Sequence, residues 1–261
     1  MKKYFAYFLL VFPVACFLIS CGGDDSEEDS KNINSTIVIN EKGVASNGSK
    51  FVAIDDKNFY LDYVKYSVKE GHLEVTGYDT SGFNGVANIV SSITYKGNFY
   101  EVLIIARRVF EECSRLTSVS ISNSVTEIKS SAFYGCNRLT SVTIGNNVKV
   151  IDYGVFYGCS SLTTINIPNS ITLIDDCAFR DCTSLTSITI PNSVKAIGQS
   201  VFSGCSNLKT IHCKSTQPIA SIKVICDSNT YENVTLYVPK GSLNAYKNNN
   251  VWSKFGNIVE E

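Results

Sequence analysis

Five short stretches alternate apolar and small polar side chains in the same order: LTSVSI at 116–121, LTSVTI at 139–144, LTTINI at 162–167, LTSITI at 185–190 and LKTIHC at 208–213. Alternation with a period of two marks a strand that buries one face. Each stretch begins 23 residues after the one before, and other columns hold the same register. Phe110, Phe133, Phe156, Phe179 and Phe202 form one column; Cys113, Cys136, Cys159, Cys182 and Cys205 form another; Leu116, Leu139, Leu162, Leu185 and Leu208 form a third. Aliphatic residues recur at Val119, Val142, Ile165, Ile188 and Ile211, and again at Ile128, Ile151, Ile174 and Ile197. Asparagine recurs at Asn123, Asn146, Asn169 and Asn192, twice behind a proline, where turn chemistry favours it. A second apolar piece follows each turn (VKVI at 148–151, ITLI at 171–174) and predicts a second short strand. The stretch from there to the phenylalanine and cysteine columns predicts a single helical turn.

One such unit has too few apolar side chains to offset the entropy of ordering its own backbone, so units must stack and share a core. The expected fold class is α/β: a solenoid of 23-residue coils with stacked parallel strands over 110–213, five coils in all. Flanking segments read as caps. Over 37–109, Tyr66 and Val68 face Leu73 and Val75 across a Lys69–His72 turn, and 93–95 can pair with 99–100 around Lys96-Gly97-Asn98. Over 214–261, Val234, Leu236 and Val238 alternate as a final strand, and Trp252, Phe255 and Ile258 fall at near-helical spacing over the last open coil. The fifth unit drifts from the pattern, with Cys213 and Gln217 at apolar positions, which marks the handover to this cap.

The unit F-x-x-C-x-x-L-T-S-(V/I)-T-I-P-N-S-V-x-x-I resembles the leucine-rich repeat of BspA-like surface proteins of Bacteroides-type bacteria. YSVKEGHLEVTGYD at 66–79 and IVSSITYKGNFYEVLIIARRVF at 89–110 are similar to that family's N-terminal cap, and 234–261 to its C-terminal cap. The resemblance implies a leucine-rich-repeat lipoprotein of the cell surface, whose relatives are linked to adhesion and protein binding.

The amino-terminal sequence supports that address. Lys2 and Lys3 precede an apolar run from Tyr4 to Ile19 that is short for a membrane span, so residues 1–20 read as a signal peptide. Leu18-Ile19-Ser20-Cys21 resembles a bacterial lipobox, which makes Cys21 the lipidation site and an outer-membrane anchor. Residues 21–36 carry five acidic side chains and no aromatic one, a solvated tether that resembles the acidic export signal of surface lipoproteins. Beyond it the body is nearly neutral, with 20 basic and 19 acidic residues from Asn32 onward, which excludes the basic field of a nucleic-acid binder.

Candidate chemistry is sparse. The two histidines lie far apart; His72 falls in a hairpin turn and His212 on an outward strand position, neither with a nucleophile relay. Asp175-Asp176 occupies positions that vary between units and so faces solvent. No metal-binding cysteine spacing occurs, no cofactor is implied, and the chain is expected not to be an enzyme. The cysteine column reads as free, buried thiols, with a Cys213–Cys226 bridge left open. The candidate binding face is the outward side of the strands: Ser118, Ser120, Ser141, Thr143, Thr164, Asn166, Ser187, Thr189, Thr210 and His212. A second candidate is Tyr134, Tyr153 and Tyr157, clustered on the convex side. The expected role is protein or glycan binding, with a host matrix protein or glycan as partner and the chain a monomer; the alternative is an accessory envelope lipoprotein with no host partner.

Overall fold

A computed structural model describes residues 33–221 and 223–261. Residues 1–20, read as a signal peptide, the expected lipidation site Cys21 and the expected tether up to residue 32 lie outside the described residues. Lys31–Glu261 is one compact unit. Its N-terminal region holds β1 (Thr36–Val38), β2 (Phe51–Ala53), β3 (Asn58–Leu61), β4 (Val64–Lys69), β5 (His72–Tyr78), β6 (Val86–Ile89), β7 (Ser92–Tyr95) and β8 (Asn98–Ile105). Seven of these pair in the order β1-β7-β8-β5-β4-β3-β2. The expected hairpins form: Val68 pairs with Leu73 and Tyr66 with Val75, while Thr94 pairs with Phe99. The β4–β5 turn is tighter than expected, because Gly71 at φ +84° closes it and lets His72 open β5 as a half-buried strand residue. The tether also stops short of residue 36. Ile37 and Ile39 are buried in the cap; the strand that carries Ile37 starts at Thr36, paired with Ser92, and Ile39 follows it as a bridge to Ala45.

The coils follow, with β9 (Ser118–Ile121), β10 (Glu127–Ile128), β11 (Ser141–Thr143), β12 (Val150–Ile151), β13 (Leu173–Ile174), β14 (Ser187–Ile190), β15 (Ala196–Ile197) and β16 (Thr210–Cys213). The C-terminal cap adds helix α1 (Ser228–Asn233), β17 (Thr235–Val238), helix α2 (Leu243–Lys247) and β18 (Asn257–Glu260). Each coil has three sides. The first is the main strand ladder, β6-β9-β11 and then β14-β16-β17-β18, all parallel. Both caps therefore extend the ladder, and Ile258 sits in β18 opposite Leu236 rather than on a helical stripe. Between the two parts, Thr164–Ile167 forms no regular strand. Ser122 N–H and Lys214 N–H close their rungs onto Ile89 and Ile190 carbonyls, but the same register position is Pro168 or Pro191 in coils three and four. Proline has no N–H, so this rung lacks one ladder bond on each side.

On the second side β10 pairs in parallel with β8, and β12, β13 and β15 form a separate parallel run that ends on a bridge from Ala196 to Ala220. The third side is not the expected helical turn. Arg108, Ser131, Gly154, Cys177 and Ser200, and again Glu112, Gly135, Gly158, Asp181 and Gly204, all have φ between 54° and 76°. These left-handed residues break the segment into successive tight turns and aim backbone N–H groups along the stack. Ser131, Phe133 and Gly135 donate to the carbonyls of Tyr153, Val155 and Tyr157 in the next coil. A helical turn would spend those donors within its own segment and leave the coil interface unbonded.

Inside, the five phenylalanine rings stack at 5.5, 5.6, 5.5 and 6.1 Å, within 10° of parallel. Tyr78 of the N-terminal cap lies 5.4 Å beyond Phe110 as a further plate. At the other end Phe202 N–H donates to Ile225, which gives Cys226 the register of a sixth phenylalanine. Trp252 is fully buried there and donates from Nε1 to the Ile219 carbonyl at 2.9 Å.

Coil spacing makes one glycine necessary. A Cβ on Gly145 would fall inside the van der Waals envelope of the Ser122 carbonyl oxygen in the preceding coil. Gly145→Ala is expected to cost about 1–3 kcal/mol, as overpacking does in tight interiors. Urea denaturation measures this; an unchanged midpoint would mean that the first two coils separate freely.

Candidate binding face

The main ladder sets the geometry of the face. In parallel register Ser118 pairs with Ser141 and Ser120 with Thr143; further on, Ser187 pairs with Thr210 and Thr189 with His212. The inward residues between them, Val119, Val142, Ile188 and Ile211, are buried, so strand parity forces the partners outward. Eight of the ten expected residues are thus placed on one side of the ladder by register, and Thr164 and Asn166, exposed on either side of buried Ile165, keep the same alternation without a regular strand. Ser141, Thr143, Thr164, Asn166 and Thr189 are exposed, while Ser118, Ser120, Ser187, Thr210 and His212 are half-buried.

Register also adds residues that the 23-residue period does not reach. Asn88 on β6 continues the row of Ser120 at the N-terminal end. At the C-terminal end Thr235 continues Thr210, and Tyr237 continues His212. The His212 and Tyr237 rings stack at 4.7 Å, 6° from parallel. His212 Nδ1 lies 2.8 Å from Glu261 Oε2, and the Lys214 ammonium binds the other oxygen of that carboxylate. The hydrogen bond from Lys214, joined by His212, outweighs the opposing effect of burial and holds the Glu261 carboxyl below its usual range. The alternation Leu236-Tyr237-Val238 carried the signal for Tyr237: its neighbours are apolar, so it points out.

The asparagine column lies exposed at the corner beside this face. Asn34 Oδ1 accepts Asn123 N–H at 3.1 Å, and Asn123 Oδ1 accepts Asn146 N–H at 2.8 Å, so the corner ladder begins in the cap. The tyrosine candidate divides. Tyr134 and Tyr157 stack at 4.8 Å, and the Arg180 guanidinium lies 5.6 Å from the Tyr157 centroid. Tyr153 is 50% exposed and occupies the column of Ser130 and Asp176 instead.

Other expected positions have structural partners. Asp176 accepts the Gln199 N–H of the next coil, and Asp175 accepts the Asp176 N–H, so the pair is tied into the backbone rather than free in solvent. His72 is the exception: its Nε2 is buried without a hydrogen-bond partner, 3.6 Å from Glu74 Oε1. Cys213 and Cys226 are both free thiols, and Cys213 Sγ lies 3.0 Å from the Tyr246 hydroxyl, which takes up the polarity a bridge would have removed. Within the cysteine column the four thiols after Cys113 do more than fill space. Cys136, Cys159, Cys182 and Cys205 donate to the carbonyls of Phe110, Phe133, Phe156 and Phe179 in the preceding coil at 3.0–3.2 Å. Burial pushes the Cys136 and Cys205 thiols up to about 12 and those of Cys159 and Cys182 well above their ordinary range, so all four are unreactive at neutral pH.

Short parallel strands, a turn corner with an asparagine ladder and a capped hydrophobic prism define a leucine-rich-repeat solenoid. A family model described as the BspA type leucine rich repeat region matches residues 103–235 in six copies, and the chain belongs to this family. The sixth copy exceeds the five units counted from the phenylalanine column, since the match takes in the end of β8 and the start of β17. Among solved structures, the leucine-rich-repeat protein TpLRR of T. pallidum is similar at 30% identity over 57% of this chain and 68% of its own, with a TM-score of 0.52. A leucine-rich-repeat protein of Bacteroides ovatus shares the fold at 22% identity over 77% of this chain and 67% of its own, with a TM-score of 0.54. No curated protein matches.

Proposed function

We propose that the chain is a lipid-anchored, surface-displayed binding module whose outward strand face makes polar, weak and multivalent contacts with a protein or glycan. The observation that carries this reading is the face itself: rows of exposed and half-buried Ser, Thr and Asn side chains on a ladder whose core is capped at both ends. Hydroxyls and amides both donate and accept hydrogen bonds, so a flat array of them suits a hydrated partner. Large apolar anchors of the kind that dominate tight protein interfaces are absent from the rows between Ser118 and Thr189. Many copies on one membrane convert weak contacts into avidity. Cys21 would supply the anchor and the acidic tether the reach.

The test is capture of matrix proteins and glycans by the body, residues 31–261, followed by joint substitution of Thr143, Asn166 and Thr189 by alanine. Loss of a captured partner with an unchanged denaturation midpoint is the expected result. Retention of every partner by the triple variant would remove the face as the site, and resistance of the chain to protease shaving of intact cells would remove surface display.

A further inference from the structure

The strand face ends toward the C-terminal cap in four side chains that the repeat does not contain: His212, Lys214, Tyr237 and Glu261. Their arrangement has a direction. His212 and Tyr237 sit on adjacent rungs, about 4.8 Å apart along the ladder. Their rings stack at nearly that distance, so they stand as two parallel plates across the ladder axis. Tyr237 covers one face of the imidazole. The other face looks along the ladder to Thr189, its register partner on the next rung, which is short and exposed. A floor of hydroxyls from Thr189 and Ser187 thus ends against an upright aromatic wall.

Glu261 fixes that wall. Its carboxylate holds Nδ1 of His212 and so leaves Nε2 as the ring nitrogen free to meet a ligand. The same carboxylate takes up the Lys214 ammonium, which leaves the wall without an unpaired cation to favour an acidic ligand. What remains is one aromatic face, one ring nitrogen and several hydroxyls that donate or accept. A pyranose ring presents the complement: a C–H face that packs on an aromatic ring, and hydroxyls at its rim that bond in either direction.

We propose that this corner binds a neutral pyranose unit of a glycan, with its C–H face on His212 and its hydroxyls on Nε2 of His212, Thr189 and Ser187. The proposal rests on the strand face being the binding surface and names the ligand class at one end of it.

The experiment titrates the full chain in detergent micelles with methyl glycosides of neutral hexoses and N-acetylhexosamines, and with a uronic acid and a sialic acid as charged arms. Imidazole resonances and glycan-array retention are the readouts. Neutral sugars are expected to shift the His212 ring signals, and His212→Ala to weaken retention roughly tenfold. His212→Phe, which keeps a flat wall and loses Nε2, is expected to fall between the two, while Lys149→Ala on the second side leaves binding unchanged. His212 is half-exposed, so its removal leaves the urea midpoint in place and separates lost binding from lost fold. The proposal is overturned if the chain retains no neutral sugar, if only the charged arms bind, or if His212→Ala and Thr189→Ala bind as the parent does. If Thr143→Ala and Asn166→Ala weaken retention while His212→Ala does not, this corner is excluded and the face survives; if neither set matters, both fail.

Discussion

Phe156→Ala is expected to cost about 3–5 kcal/mol and to split the unfolding of the solenoid into two transitions. The ring is fully buried, with Phe133 at 5.6 Å on one side and Phe179 at 5.5 Å on the other. Its removal opens a gap at the centre of the stack, and the backbone is pinned so that the gap cannot close. Phe156 N–H donates to Ala178 at 2.9 Å, and Phe133 N–H to Val155 at 3.0 Å. In a stacked array each coil is stabilised mainly by its neighbours, so a weak central interface uncouples the halves. The N-terminal half keeps the support of the seven-strand order β1 to β2, while the C-terminal half depends on its smaller cap. Trp252 is the single tryptophan and lies in that cap, so its fluorescence reports the C-terminal half alone. In urea, the fluorescence transition is expected to precede the loss of far-ultraviolet circular dichroism, whereas the parent shows one coincident transition. Coincident transitions in the variant would show that the coils couple through more than their shared core.

The contrast between what could and could not be read from the chain follows the range of the forces involved. Columns such as Phe110 to Phe202 were legible because burial acts on side-chain type, and the same burial recurs every 23 residues. Hairpins such as that of β4 and β5 were legible because alternation and a glycine turn are local. The third side of the prism was not. Nothing in the residue types of Arg108, Ser131 or Cys177 announces a left-handed backbone; they adopt it because the next coil holds out carbonyls to be met. Cys177 lies outside the cysteine column for that reason: it occupies a backbone position shared with Ser131 and Gly154. The outward face was legible by parity up to His212, and then the period shifts. Thr235 follows Thr210 by 25 residues, so the wall formed by Tyr237 falls outside a search tied to 23. Glu261 is further still, since only the return of the chain through β18 brings it to His212.

The buried thiols set an alkaline limit on stability. In the unfolded chain they titrate near their ordinary value of 9.0, whereas burial, followed by the charge of neighbouring thiols or acids, raises all four in the folded coils, Cys136 and Cys205 to about 12. The sign follows from proton binding. Below about pH 8 both states hold nearly all their thiol protons, and the thiols make almost no pH-dependent difference. From pH 9 to 12 the unfolded state releases protons that the folded state keeps, so stability falls by about 1.4 kcal/mol per thiol per pH unit. Buried Tyr66 and Tyr246 are also raised by burial and add to the decline only above pH 10, their ordinary value. Urea midpoints measured between pH 8 and pH 10 therefore isolate the cysteines. The midpoint is expected to hold nearly flat to about pH 8 and then fall, and the variant with alanine at Cys136, Cys159, Cys182 and Cys205 is expected to start from a lower midpoint and lose most of that slope, the remainder lying with Cys213 and Cys226, whose thiols burial also raises. The lower start follows because each alanine removes a thiol that donates to a phenylalanine carbonyl of the preceding coil and leaves a void beside the stack. A parent midpoint that stays level to pH 10 would mean that the unfolded chain shields its thiols as well as the folded coils do.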